Sequence, residues 1–207
     1  MPEQDRFPSG RRREPLGVRA GGAAYQRLHE RTANAALQLL AERGYADMSM
    51  DDVAQLAGVS KRTVYRHFAT KVDLAVAAIQ QLAGMFEFQQ SEVAAEGRLS
   101  AFFRSVDARD ALFGPVVATA VVNRTEVPEL LAALRQHVLA PREALIARFI
   151  QEGQRAGEIR ADISPAAVAA LSTGMHIDDL TGMHRWFGRR RASGEVFAQI
   201  WPLMAAD

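Results

Sequence analysis

Apolar residues recur every three or four positions along most of this chain. That spacing places them on one face of an α-helix, because an α-helix completes a turn every 3.6 residues. The clearest stripe, at i, i+3, i+4 and i+7, consists of Leu99, Phe102, Phe103 and Val106. We find no segment with the alternation of a half-buried β-strand and no internal repeat. The pattern therefore predicts an all-α fold.

Glycine, proline and polar breaks divide this pattern into separate helices. We expect Gly44 and Gly97 to end helices. Pro115 should kink or begin one helix, and Pro141 should bend another. Besides two short helices between residues 49 and 68, the predicted helices are 24–43, 71–96, 99–108, 110–123, 128–156, 165–187 and 194–205.

The two short helices are joined by a glycine turn. Ser49 and Asp52 have the spacing of a capping box, which satisfies free backbone N–H groups at a helix start. Gly58 then ends the first helix, because glycine enters the left-handed conformation at little cost. A helix, a glycine turn and a second helix form the helix-turn-helix pattern, whose second helix lies in the DNA major groove.

The second short helix is polar on most of its surface. Ser60 is placed to cap it, and only Val64 and Phe68, at i and i+4, are clearly apolar. Such a helix buries one edge and offers a broad face of hydrogen-bond donors to a partner. Lys71 follows in the first turn of the next helix. A lysine is unfavourable there, but the position suits it if a phosphate docks at the same helix end.

The segment GVSKRTVYRHFATKVDL, residues 58–74, resembles the DNA-binding signature of the TetR family of bacterial transcriptional regulators. Arg62 departs from the family pattern, in which a small residue is common. The resemblance therefore leaves open whether Arg62 reads a base, grips a phosphate or points away. After about Ile79 the resemblance is weak at the level of single residues. The residues at family positions are Gly58, Val59, Ser60, Tyr65, His67, Phe68, Lys71 and Leu74.

This resemblance implies a set of DNA contacts. Tyr65, His67 and Lys71 would hold phosphates and fix the position of the domain on the duplex. The residues that would meet base edges are Lys61, Arg62, Thr63 and Arg66. The alternative for Tyr65 and His67 is that they pack within the domain. With two capping serines included, the predicted DNA-binding residues are Ser49, Ser60, Lys61, Arg62, Thr63, Tyr65, Arg66, His67 and Lys71.

Three regions are predicted along the chain. Residues 1–23 are rich in Pro, Gly and Arg and have no apolar periodicity, so we expect a disordered basic tail. This tail either reaches DNA, as basic N-terminal arms do, or is a solvated segment without a binding role. Residues 24–79 form the predicted helix-turn-helix DNA-binding domain. Residues 80–207 form the predicted effector-binding and dimerisation domain.

Composition favours an ordinary globular protein of the cytoplasm. Apolar residues make up 48% of the chain and charged residues 24%. We find no apolar stretch long enough to span a membrane and no secretory signal, and the lack of cysteine excludes disulfides. The net charge is only +1, but residues 1–75 contain twelve Lys or Arg against nine Asp or Glu. The positive end of the chain therefore coincides with the predicted DNA-binding helix.

A single domain of this kind recognises only a few base pairs, and such domains generally bind DNA as dimers. We therefore predict a homodimer on a palindromic operator in double-stranded DNA. Two C-terminal helices from each subunit would form a four-helix bundle about a two-fold axis. The same residues could instead fill a monomer core, because periodicity does not separate the two cases. The candidates are Val168, Leu171, Met175, Phe197, Ile200, Trp201 and Met204.

The second domain has the length and helical content that the resemblance implies for an effector-binding module. Aromatic and methionine side chains can form an adaptable apolar pocket, although at helical spacing they are more often simple core. We expect a small apolar effector, no cofactor, no metal and no membrane partner. The candidate ligand-binding residues are Met85, Phe86, Phe102, Phe103, Phe113, His137, Met175 and His176.

The predicted function is that of a transcriptional repressor that leaves its operator when the effector binds. The alternatives are an activator and a regulator that binds DNA without any effector. An enzyme is disfavoured, because the chain has no G-x-S-x-G, phosphate-binding glycine loop or H-E-x-x-H. The densest group of candidate metal or acid–base residues converges poorly on a helix, and it consists of His176, Asp178, Asp179 and His184.

Overall fold

The structure, a computed structural model, describes residues 22–84, 94–107, 110–181 and 193–206. These residues form ten α-helices and one π-helical segment, and an isolated antiparallel bridge pairs Ile159 with Ala205. The prediction of an all-α fold is confirmed. The helices are α1 (Ala23–Asp47), α2 (Met50–Leu56), α3 (Lys61–His67), α4 (Lys71–Gly84), α5 (Ala95–Asp107), α6 (Asp110–Val122), α7 (Pro128–Leu134), α8 (Ala140–Arg155), α9 (Pro165–Thr181) and α10 (Ser193–Met204), with the π-helical segment Arg135–Leu139 between α7 and α8.

Helix α1 is interrupted near its C-terminal end. The backbone of Gly44 has φ +78° and ψ 175°, outside the helical region, and the helix resumes as far as Asp47. Glycine adopts such a positive φ without the strain that a Cβ atom would cause. Gly44 therefore breaks the helix as predicted, but the residues after it are helical again.

The predicted helix from residue 71 to residue 96 is not found in that form. Helix α4 ends at Gly84, and residues 85–93 lie outside the described part of the chain. The prediction that Gly97 stops a helix is wrong, because Gly97 lies inside α5. A glycine in a helix interior costs about 1 kcal/mol relative to alanine. Burial of Leu99 and Phe102 outweighs this cost, because each large apolar side chain contributes about 1.5–3 kcal/mol.

The predicted helix from residue 128 to residue 156 consists of three parts. Pro128 begins α7, the π-helical segment follows, and Pro141 lies in the first turn of α8. Proline lacks an N–H, and its ring crowds the carbonyl four residues earlier, here that of His137. The wider π turn relieves this conflict, so the helix continues through Pro141. Pro115 lies inside α6 and therefore does not begin a helix.

Buried apolar side chains form two core clusters. The first cluster extends from α1, α2 and α3 through α4 into α6, α7 and the π-helical segment, and it includes Val64 and Phe113. The second cluster joins α5, α8, α9 and α10, and it includes Phe102 and Phe149. Helix α4 packs against α1 and α7, and α6 packs against α1 and α9. The first cluster is therefore one continuous core that joins the N-terminal helices to α6 and α7.

Candidate nucleic-acid interface

The turn between α2 and α3 has the geometry that its sequence predicts. The Ser49 hydroxyl accepts a hydrogen bond from the Asp52 N–H at 3.1 Å and donates one to the Asp52 carboxylate at 2.6 Å. At the other end of α2, Gly58 has φ +62°. The N–H groups of Gly58 and the next residue donate to carbonyls in the last turn of α2. This pair of bonds is the Schellman motif, which ends a helix at a left-handed residue.

Helix α3 is anchored by two side chains and exposes most of the others. Val64 and Phe68 are 0% and 3% exposed and belong to the first core cluster. Tyr65, in contrast, is 48% exposed. The other exposed side chains of this helix are Lys61, Arg62 and Arg66. Helix α3 therefore presents a face of cations and hydrogen-bond donors to solvent.

One of these cations has a carboxylate partner. Lys61 Nζ lies 2.8 Å from the carboxylate of Asp51 in α2, and both side chains are exposed. The hydrogen bond to Asp51 and its charge raise the pKa of Lys61. Exposed pairs of this kind are worth about 0–1 kcal/mol, so a phosphate could replace Asp51 at little cost. Among the residues that the structure describes, Arg62 and Arg66 have no ion-pair partner.

The serine and threonine hydroxyl groups in the predicted DNA-binding set take part in helix capping. The Ser60 hydroxyl accepts a hydrogen bond from the Thr63 N–H at 3.2 Å, and the two hydroxyl oxygens lie 2.8 Å apart. Ser49 caps α2 in the same way. A serine or threonine cap stabilises a helix by about 0.5–2 kcal/mol relative to alanine. A DNA contact by any of these hydroxyl groups stays a prediction.

The ring of His67 packs against α1. It stacks on the ring of Tyr25 with centroids 4.1 Å apart, and its centroid lies 5.9 Å from that of His29. Both ring nitrogens of His67 are shielded from solvent. Burial, followed by the charges of His29 and Arg66, lowers the pKa of His67 from its ordinary value of 6.5. This position favours the packing interpretation, because a phosphate contact requires an accessible ring nitrogen.

Lys71 is held by the C-terminal end of α1. Its Nζ donates to the carbonyl of Ala46 at 2.9 Å and lies 4.5 Å from the centroid of the Tyr45 ring. Burial lowers the pKa of Lys71, an effect that the charge of Asp47 opposes. These contacts explain a lysine in the first turn of α4 without any phosphate, a reason that sequence reasoning missed. An ammonium group has three N–H donors, so a phosphate contact by Lys71 stays a prediction.

Three of the candidate ligand-binding residues, Phe102, Phe103 and Phe113, lie near one another where the two core clusters meet. Phe102 and Phe103 are buried in the second core cluster, whereas Phe113 is buried in the first. Met175 is 43% exposed, and His137 Nε2 lies 3.3 Å from the side-chain amide of α4 residue Gln80. The remaining candidates lie outside what the structure describes, and these are Met85, Phe86 and the side chain of His176.

Arg142 is a residue that sequence reasoning did not single out. It is 4% exposed, and its guanidinium carbon lies 5.3 Å from the centroid of the Phe102 ring and 5.9 Å from that of Phe113. An arginine stays charged at physiological pH, and aromatic rings stabilise such a charge. The sequence did contain a signal for its burial. Arg142 stands four positions after the apolar residue Val138 and three before Leu145, so helical spacing places it on their apolar face. Arg142 therefore places a buried cation where the two core clusters meet.

The candidate dimer residues divide into core and surface. Phe197 and Met204 are 3% and 5% exposed and fill the core of one subunit, so they have little surface to offer a partner. Leu171 and Met175 lie four positions apart on α9 and are 67% and 43% exposed. The partly buried candidates are Val168, Ile200 and Trp201, which pack on the second core cluster.

Neither a membrane span nor a metal site occurs among the described residues. Within 22–84, 94–107, 110–181 and 193–206, no helix is both long enough and apolar enough to cross a bilayer. The same ranges contain no group of three His, Cys, Asp or Glu side chains able to hold a metal ion. The side chains of His176, Asp178, Asp179 and His184 lie outside the described part of the protein.

A helix-turn-helix whose second helix exposes cations, in an all-α chain, defines a DNA-binding protein of the transcriptional-regulator class. Two family models match the sequence. "Bacterial regulatory proteins, tetR family" matches residues 33–78, and "Tetracyclin repressor-like, C-terminal domain" matches residues 94–199. The chain therefore belongs to the TetR family of transcriptional regulators.

Individual proteins agree with this assignment. The transcriptional regulator AcuR of Cereibacter sphaeroides is 27% identical over 179 residues, which cover 82% of each chain. The DNA-binding transcriptional repressor TetR of Mycobacteroides abscessus is 27% identical over 144 residues, which cover 67% of this chain and 76% of that protein. Regulator FadR from Bacillus subtilis, solved in complex with stearoyl-CoA, shares the fold with a TM-score of 0.65 and 18% identity. That match covers 84% of this chain and 95% of FadR.

Proposed function

We propose that this protein is a transcriptional repressor that binds a palindromic operator as a homodimer and leaves it when a small apolar ligand binds. The exposed face of α3 is the observation that carries this proposal. Its anchors Val64 and Phe68 are buried, so the cations beside them face solvent on a fixed support. A rigid helix of hydrogen-bond donors fits the acceptor-rich major groove of DNA.

Arg62 and Arg66 would reach base edges. Both are exposed on α3, and an arginine presents paired N–H donors that match the O6 and N7 acceptors of guanine. Tyr65 is also exposed, and its hydroxyl suits a phosphate. Lys61 would join these contacts by exchanging the Asp51 carboxylate for a phosphate. Under this proposal, affinity comes from several cations and specificity from the two arginines.

The homodimer would form through α9. Leu171 and Met175 leave an apolar surface on this helix that a second copy of the chain could cover. A two-fold axis makes such a surface self-complementary, because the same patch is presented by both subunits. The two copies of α3 would then reach half-sites about 34–36 Å apart, one turn of the DNA helix.

The effector would act through α4. This helix begins beside the helix-turn-helix, packs on α7, and carries Gln80 next to His137 of the π-helical segment. A ligand that displaces α7 or the π-helical segment would tilt α4 and change the separation of the two α3 helices. A ligand of this kind must bind the released conformer more tightly, and a coupling of about 1–3 kcal/mol lowers DNA affinity about 5–150-fold. FadR, which shares this fold, was solved with stearoyl-CoA, a ligand with a long apolar acyl chain, and this supports a ligand with an apolar part.

Selection of bound fragments from random or genomic DNA tests the DNA-binding part of the proposal. We expect enrichment of a palindrome whose half-sites are one helical turn apart. Absence of binding to any DNA at low ionic strength would contradict the proposal, because phosphate contacts are strongest there. A thermal-shift screen of apolar compounds, repeated with the selected operator, tests the release. A compound that stabilises the free protein and displaces the operator supports ligand-induced release, whereas one that strengthens the complex would contradict it.

A further inference from the structure

Four aromatic rings connect the end of α3 to the start of α1. His67 stacks on Tyr25, and His29 lies 4.6 Å, centroid to centroid, from Phe68. The rings of the two histidines are 5.9 Å apart. Phe68 is 3% exposed and follows α3 directly, so this ring cluster fixes the C-terminal end of α3 on α1.

Three of the four ring nitrogens of the two histidines are buried. Nδ1 and Nε2 of His67 and Nδ1 of His29 are shielded from solvent and have no hydrogen-bond partner among the described residues. A protonated imidazole carries N–H donors on both nitrogens, whereas a neutral imidazole carries one. Burying a charge without a partner is far more costly than burying a neutral ring. The packed arrangement therefore favours neutral His67.

The charges around His67 act in the same direction. The titratable group facing it from α1, besides the Tyr25 phenol, is His29, and its neighbour on α3 is Arg66. Burial first, then His29 and Arg66, lowers the pKa of His67 below 6.5. A released His67 would take up a proton near pH 6.5, whereas the packed ring resists it. Acidification below about pH 6.5 therefore favours the released state.

We propose that His67 is a positioning residue, which holds α3 against α1 in its neutral form, so that acidification releases the recognition helix and weakens DNA binding. This inference rests on the proposed role of α3 in DNA contact, and it deepens that role. Protonated His67 would leave the ring cluster, and α3 would keep Phe68 but lose its second aromatic contact with α1 at its C-terminal end. The exposed cations of α3 would then no longer be held in the geometry of the major groove.

A direct phosphate contact by His67 predicts the opposite result. A protonated imidazole is a cation, so a phosphate would hold it more tightly as the pH falls. Acidification also makes the protein more positive as a whole, which strengthens binding to a polyanion. Weaker DNA binding in acid is therefore the specific signature of the positioning role.

The test is the ratio of operator affinities at about pH 7.5 and about pH 5.5, measured at constant ionic strength for the full chain. We expect the wild-type affinity to fall in acid, since protonation of His67 opposes the packed state that binds DNA. His67→Phe keeps an aromatic ring without a titratable nitrogen, so it should lose the fall in acid and bind at least as tightly at about pH 5.5 as at about pH 7.5. Because the ratio is taken within each protein, a change in affinity at neutral pH does not affect the comparison. His184→Gln, which removes a histidine outside residues 22–84, should retain the wild-type ratio.

An unchanged or increased wild-type affinity in acid would overturn the proposal, as would an equal loss in His67→Phe. If His67→Phe fails to fold, NMR titration of the His67 ring in the wild-type protein decides the question. The positioning role requires the pKa of His67 to fall further when operator is bound, because DNA then selects the packed, neutral state. A rise in that pKa on DNA binding would identify a phosphate ligand instead. Failure to bind DNA at any pH would overturn the proposed function itself, an outcome distinct from these.

Discussion

Helices α3 and α9 have apolar residues at helical spacing, yet the two helices expose opposite chemistry. In α3 the apolar Val64 is buried, and cations and Tyr65 face solvent. In α9 the polar Ser172 and Thr173 are 7% and 6% exposed, whereas Leu171 is 67% exposed. A surface of hydrogen-bond donors suits a polyanion, and a surface of leucine and methionine suits another apolar surface. The comparison fits the proposal that the two helices serve different partners, DNA for α3 and a second subunit for α9.

The largest expected effect comes from placing charge on the exposed surface of α9. Leu171→Glu combined with Met175→Glu would bring four carboxylates together at the two-fold axis, so we expect a monomer. A monomer contacts one half-site, and operator affinity should fall by about 10³-fold, towards non-specific binding. Light scattering after size-exclusion chromatography gives the mass, and a filter or fluorescence assay gives the affinity.

Val122→Glu is the matched control for that pair. Val122 is 76% exposed at the end of α6, so the substitution adds one carboxylate of the same kind to an apolar surface elsewhere. The control should remain a dimer with wild-type affinity. If the Leu171→Glu, Met175→Glu variant is still a dimer, α9 is not the interface. The proposal that α9 serves a second subunit would then be wrong.

The next largest expected effect comes from removing the exposed arginines of α3. Arg62→Ala combined with Arg66→Ala should lower operator affinity about 100-fold, because each arginine that reads a base is worth about 1–3 kcal/mol. Thermal stability should not change, since both side chains are exposed. Arg155→Ala removes an exposed arginine from α8 and should leave the affinity unchanged. If the α3 double variant and Arg155→Ala lose the same operator affinity, α3 contributes only general electrostatic attraction.

The smallest expected effect comes from replacing Lys71. This residue either holds the start of α4 against α1 or contacts a DNA phosphate, or does both. If Lys71 touches a phosphate, Lys71→Ala should weaken binding and lower the slope of log affinity against log salt concentration by about one. If its contact with Ala46 is its whole role, the slope stays the same and the melting temperature falls. Lys71→Met keeps the apolar stem and removes the charge, which separates lost packing from lost charge. An unchanged slope in both variants would exclude Lys71 from the phosphate contacts.

The helix-turn-helix could be predicted residue by residue because its determinants are local. The caps at Ser49 and Ser60 and the left-handed Gly58 act within four residues along the chain. The narrow stripe of Val64 and Phe68 allows only one orientation of α3, so its exposed face followed from the same short segment. Gly97 shows the limit of local reasoning. Helix α5 includes it because the helix is stabilised by packing against other helices, which the local sequence does not show.

The contacts that sequence reasoning could not identify are those between residues that lie far apart along the chain. His67 meets Tyr25, Lys71 meets Ala46, and Arg142 lies near both Phe102 and Phe113. A family pattern records that a histidine or lysine occurs at a position, and it does not show which surface the side chain faces. Periodicity likewise did not distinguish Phe197, which is core, from Leu171, which is surface.

The amino-acid sequence by itself determined the all-α class, the positions of the short helices and the polar face of α3, because hydrogen bonding and helical periodicity act over a few residues. Tertiary structure alone decided which apolar residues are buried and which are exposed. It also decided which cationic side chains contact other residues of the same chain. These outcomes depend on contacts between distant helices, such as α1 with α3 and α5 with α8, and burial is a property of the packed chain as a whole.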